Sequence, residues 1–170
     1  MKYLRIFMFL SLVLVTKQIN AQAITTGTVT VLTSDSSTYT ILTGQIMSIG
    51  VNGNFSGKIN LNGGTIINKG IFHPDSTIFI KGRIINNGTL TLDSQVSLGA
   101  NSFLSNNIGG AINIAGNLTI ADGTLINNGT LSVTQDLQNN SGTLNNSHII
   151  NCDHLTGNNV ITNTGTINTN

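Results

Sequence analysis

The chain has no Trp, no Glu, a single Pro and a single Cys, and only 8% of its 170 residues are charged. Helices are built mainly from Ala, Leu, Glu, Lys, Gln and Arg, so this composition disfavours helix almost everywhere after the first 23 residues. The lone cysteine, Cys152, excludes an intramolecular disulfide. An exported fold would then be held by hydrogen bonds and burial alone. The thiol reads as a small buried apolar side chain, with an interchain disulfide as the alternative. Positive charge is equally scarce. The formal charge of +1 counts Lys2, Arg5 and Lys17, whereas residues 24–170 hold four Lys/Arg against six Asp, or −2. That balance offers no electrostatic footprint for nucleic acid.

Long apolar runs are missing too, apart from one. Met1 to Arg5 carries two positive side chains, Ile6 to Val15 is apolar in the main, and Ala21-Gln-Ala23 supplies small residues. This is the layout of a secretory signal peptide, residues 1–23, and it is short for a membrane span. Cleavage after Ala21 rivals cleavage after Ala23, and an uncleaved N-terminal anchor is the alternative. No later stretch is apolar enough to cross a bilayer as a helix.

Asn, Thr and Gly are abundant, together with Ile, Leu and Val. The branched residues and Thr favour strands, and Asn and Gly favour tight corners. Residues 24–44 show alternation at Val29, Val31, Tyr39 and Ile41 around a Ser34-Asp-Ser-Ser37 turn, and read as N-terminal strands or a cap. A repeat then governs residues 45–170. Its signature is Arg83-Ile-Ile-Asn-Asn-Gly-Thr-Leu-Thr-Leu92, with relatives at Thr65–Gly70, Thr124–Gly129, Thr143–Ser147 and Val160–Gly165.

Corner positions Gly53, Gly70, Gly88, Gly110, Gly129, Ser147 and Gly165 are spaced by 17, 18, 22, 19, 18 and 18. Two residues after each stand Phe55, Phe72, Leu90, Ile112, Leu131, Ile149 and Ile167; eight after the first six stand Leu61, Ile78, Val96, Leu118, Leu137 and Leu155. With 39% hydrophobic residues overall, roughly two or three apolar members per column would arise by chance. A six-residue period lies inside the coil, from Ile66 to Val96 and from Leu125 to Ile167, with Thr143 as its weak step. Six residues suit a short strand plus a corner and cannot be a helical period. Three hexads make a triangular coil of about 18 residues, and coils stack as parallel strands about 4.8 Å apart. The pattern therefore predicts an all-β, three-sided parallel β-solenoid of about six or seven coils, roughly 30 Å long. A right-handed winding is favoured because parallel crossovers are overwhelmingly right-handed. Asn68 with Asn86, and Asn127 with Asn145 and Asn163, are expected to form amide ladders at one corner. Phe103 to Ala111 breaks the hexad and reads as one corner insertion of about four residues. The repeat reaches Asn170 without a polar cap, which points to a truncated chain, a fragment, or end-to-end self-association through open strand edges.

The leader and the Ile-Asn-Asn-Gly-Thr-Leu-Thr-Leu repeat resemble the parallel β-helix passengers and adhesin-like proteins of Gram-negative bacterial surfaces. The hexads are also similar to those of left-handed β-helix acyltransferases and of bactofilins, although cytoplasmic filament formers do not fit an exported chain. The first resemblance implies secretion or display on the outer cell surface, and contacts with glycans or with host or abiotic surfaces.

Candidate chemistry is sparse. His73, His148 and His154 are the available general bases for acyl transfer; His148 falls in phase with outward Thr89 and Thr130 and reads as a surface residue. Asp75 and Asp93, 18 apart, are expected to stack, as turn residues or as a shared calcium site. Ice binding needs a regular threonine plane, yet Thr89/Thr91 is followed by Ala111/Asn113, Thr130/Ser132, His148/Ile150 and Thr166/Asn168. The sequence thus leads to a structural or adhesive module with no catalytic, cofactor or metal residues assigned. A fragment of a carbohydrate-active β-helix enzyme is the alternative, and an ice-binding solenoid a weaker one.

Overall fold

A computed structural model describes residues 22–23, 27–75 and 79–170. Of the leader, only the backbone of Gln22–Ala23 is among these, paired with Tyr39–Thr40; Ser76 to Ile78 of the repeat also lie outside them. Among the described residues there are strands and corners and no helix, and neighbouring strands pair in parallel throughout. The chain is a β-solenoid of about 7 turns with about 19 residues per turn.

One coil shows how the sequence makes it. Thr124–Asn127 lies on the first side, Thr130–Val133 on the second and Leu137–Asn139 on the third; the next strand, Thr143–Asn146, then pairs with Thr124–Asn127. Each strand alternates inward aliphatic and outward polar residues, so Leu131 and Val133 are buried while Thr130 and Ser132 are half-buried. The alternation aims every second side chain at the axis, where Leu90, Ile112, Leu131 and Ile150 stack without exposure. Burying each contributes about 1.5–3 kcal/mol relative to leaving it in water. The 24–44 stretch, from Thr28, forms the first coil on the same three sides. There Tyr39 packs on Phe55 and Phe55 on Phe72, with ring centroids 6.0 and 5.7 Å apart, and the Tyr39 hydroxyl donates to Asp35 at 2.8 Å. Burial first, then the Asp35 carboxylate, push the Tyr39 phenol above its ordinary pKa.

Strand pairing corrects the count near residue 143. On the second side, register follows Phe55, Phe72, Leu90, Ile112, Leu131, Ile150 and Ile167, at spacings of 17, 18, 22, 19, 19 and 17. Leu144 points inward in place of Thr143, and Ile150 in place of Ile149. An extra residue in the corner after Asn139 moves the chain forward by one. A corner one residue short, around Asp153, moves it back, so Leu155, Ile161 and Ile167 return to the expected phase. The outward pair of that coil is therefore Ile149/Asn151, and His148 sits in the corner beneath Gly129.

The expected insertion is real but divided. Ile80 pairs with Leu98 at a spacing of 18, Arg83 with Phe103 at 20 and Thr89 with Ala111 at 22. Two residues are therefore added in each of two successive corners. Both additions are β-turns, closed by Ser102 N–H to Gly99 O at 3.1 Å and by Gly110 N–H to Asn107 O at 2.9 Å. Their third residues, Asn101 and Gly109, have φ of 63° and 80°, as a type II turn requires.

The corner between the first and second sides carries one continuous amide ladder. Asn68, Asn86, Asn106, Asn127, Asn146 and Asn163 donate each to the next, at 2.7, 2.9, 2.8, 2.8 and 2.8 Å. Their Nδ2 groups also reach backbone carbonyls of the coil below, Asn106 to Thr130 and Asn127 to Ile149, at 3.0 and 2.8 Å. Asn106 belongs to the ladder although its spacing is not 18, and Asn146 takes the place expected for Asn145. The first five members are buried, so the row is an interior polar column and not a solvated edge.

Adjacent residues test this register. Asn146→Ala removes a donor to Asn163 and Thr166 and leaves the Asn127 amide short of a partner. It should lower unfolding free energy by about 1–3 kcal/mol, while Asn145→Ala should stay within about 0.5 kcal/mol, both read by chemical denaturation. Equal effects would overturn the register. Cys152 gives a second test. It is a buried free thiol whose pKa is raised by burial first and then by Asp136 and Asp153. A raised pKa leaves less thiolate at a given pH, so iodoacetamide should label native protein at pH 8 at least about tenfold more slowly than denatured protein. Labelling at the free-thiol rate would contradict that burial.

Candidate functional site

The titratable side chains singled out from sequence do not converge. His73 meets Asp93 at 2.7 Å and His154 meets Asp136 at 3.0 Å, each pair joining consecutive coils at the corner between the second and third sides. These pairs are exposed on a convex edge, several coils apart, where an ion pair is worth about 0–1 kcal/mol. His148 lies in a different corner, between the first and second sides, and is exposed. Its neighbours in that column are Gly110, Gly129 and Gly165, where a Cβ would crowd the preceding coil; at Gly129 it would collide with the Gly110 oxygen. The imidazole is accommodated by a longer bond, Ile149 N–H to Gly129 O at 3.3 Å against 2.8 to 3.0 Å in the coils before it. Asp93, expected to stack on Asp75 as a turn residue with a shared calcium site as the alternative, lies in the corner with its carboxylate against His73. Among the described residues no three His, Cys, Asp or Glu side chains form a group able to hold a metal ion.

Two surfaces remain. The first is the outer face of the second side, where strands stack at the parallel-sheet spacing of about 4.8 Å. Two columns run along it: Thr89, Ala111, Thr130, Ile149 and Thr166, and Thr91, Asn113, Ser132, Asn151 and Asn168. The side chains of both columns are uncharged, and Asn168 donates to Asn151 at 2.8 Å. It is not a uniform threonine plane.

The second is a cleft of about 730 Å³ over the corner between the third and first sides. Register shows why it forms. The corner takes five steps from Ile41 to Ile46 and four from Leu61 to Thr65, then only three from Ile80 to Arg83. It lengthens again to five from Leu98 to Phe103 in the next coil. The short corner is a saddle between longer ones. Its closeness demands glycine: a Cβ on Gly82 would lie 2.6 Å from the Gly64 oxygen. The wall is the Gly99–Ser102 turn, tied back by the buried Ser102 hydroxyl, which donates to the Ile80 carbonyl.

Lys81, Arg83, Asn62, Ser97, Asn101 and Phe103 line the cleft. The Arg83 guanidinium carbon stands 4.3 Å from the centre of the Phe103 ring. Among the described residues no carboxylate lies within salt-bridge reach of Lys81 or Arg83. Asn60, Leu61, Asn62 and Lys81 continue the depression along the third side. Sequence reasoning missed this place, since its residues come from different coils and share no motif; the hexad break from Phe103 to Ala111 was the one available signal. A comparison of the chain with known protein families, curated proteins and solved structures finds no match.

Proposed function

We propose that the chain is an exported structural or adhesive module that holds glycans, matrix or other surfaces through its flat neutral faces. The observation that carries this is the outer face of the second side, two uncharged columns at one repeat distance in which Thr, Ser and Asn outnumber Ala111 and Ile149. Neutral hydroxyls and amides make weak contacts singly. A rigid array makes many at once, and linked weak contacts gain strongly in overall affinity. Among the described residues no acid–base groups converge on that face, which supports binding without chemistry. The N-terminal leader pattern supports export, and the repeat's resemblance to bacterial surface passengers supports display outside a Gram-negative-type cell.

A glycan panel on beads tests this reading. The chain should be retained without releasing new reducing ends. Asn113→Asp with Ser132→Asp, which place like charges on adjacent coils of the face, should weaken retention at least about tenfold while the circular dichroism spectrum stays unchanged. Product release from a polysaccharide would sink the proposal in favour of a carbohydrate-active fragment.

A further inference from the structure

We propose that the cleft between Asn62 and Phe103 is a subsite for a carboxylate-bearing saccharide, a hexuronate unit of an acidic glycan. This rests on the reading of the chain as a glycan-binding module and gives one place on it a ligand.

Charge is the first argument. Residues 24–170 carry only four lysines and arginines, Lys58, Lys69, Lys81 and Arg83, and two of them share this cleft. In a nearly neutral protein such a pair is a local positive potential, and among the described residues no carboxylate stands within salt-bridge reach of either cation. Preorganisation is the second. Stacking on Phe103 fixes the guanidinium, so its donor edge is held without the loss of side-chain freedom that a mobile arginine suffers on binding. A planar donor fork matches a carboxylate by two parallel hydrogen bonds, whereas Lys81 adds a point charge. Phe103 is thus a positioning residue.

The rest of the lining decides what carries the carboxylate. Asn62, Asn101 and Ser97 offer neutral donors and acceptors on both sides of the cations, suited to ring hydroxyls. The depression continues to Asn60 and spans neighbouring coils, so it is long enough to extend beyond a single charged group. Its floor is rigid, because the short Ile80–Arg83 corner is packed against Gly64 and the wall is pinned by Ser102.

Titration calorimetry of the full chain with a tetramer of galacturonic acid, and with its methyl ester, tests the assignment. The acid should bind, more weakly as salt rises, and the ester should bind at least about tenfold less tightly. Lys81→Gln with Arg83→Gln should abolish the preference for the acid. Both side chains are exposed, so the thermal midpoint should not move, and Lys81→Gln alone, which disturbs no stacking, should weaken the acid severalfold. Phe103→Leu should weaken binding and Phe103→Tyr restore it. Equal affinity for acid and ester, undiminished binding by the double variant, or binding only to a sulfated oligosaccharide or inorganic phosphate would overturn the assignment. A chain that binds the tetramer but no neutral glycan would sink the flat-face reading and keep the cleft. One retained on neutral glycans but indifferent to the acid would do the reverse.

Discussion

The fold depends on satisfying the polar groups buried at the corner between the first and second sides. A solenoid turns three times per coil, and each turn takes backbone amides and carbonyls out of the strand ladders. At the corner between the first and second sides, the Asn68-to-Asn163 row resolves this inside the molecule. Each of the first five amides donates to the next and to a carbonyl on the coil below. A buried amide left unpaired costs about 1–3 kcal/mol, so the row behaves as a set and fixes which residue ends each first-side strand. The aliphatic stack is less particular, since Ile, Leu, Val and Phe all occupy it.

With sides held to a common register, length can vary only at corners. The corner turns at Gly99–Ser102 and Asn107–Gly110 show how: a closed β-turn adds two residues without changing the strands that flank it. The second of these lies just after Asn106, which keeps its ladder bonds while Ile108 is pushed into solvent at 88% exposure. The first stands beside the three-step corner from Ile80 to Arg83, and the difference between the two heights is the cleft. Shape here follows from unequal corners on equal sides.

The strands were legible because inward and outward residues alternate, and a column such as Leu90, Ile112 and Leu131 is apolar for one physical reason. The slip at Thr143 was hidden because two corner changes of opposite sign cancel, leaving Leu155 in phase with Leu137. A fixed period of 18 also passed over Asn106, whose partners lie 20 and 21 residues away. Counting along one chain cannot separate Asn145 from Asn146 when both are Asn; pairing between coils does so at once. The cleft was beyond such counting, for it is a relation among four corners that no local pattern encodes.

Faces and corners consequently suit different work. A face repeats at the strand spacing, so its side chains present the same weak contact many times, and a single charged residue there would break the repeat rather than build a site. A corner is unique in each coil and can hold an isolated arrangement such as Arg83 over Phe103. The histidine–aspartate pairs sit at the corner between the second and third sides, and Lys81 with Arg83 at the one between the third and first. Broad adhesion through faces and selection of charge at one corner are therefore compatible on one scaffold, since changing a corner leaves the stacked sides undisturbed.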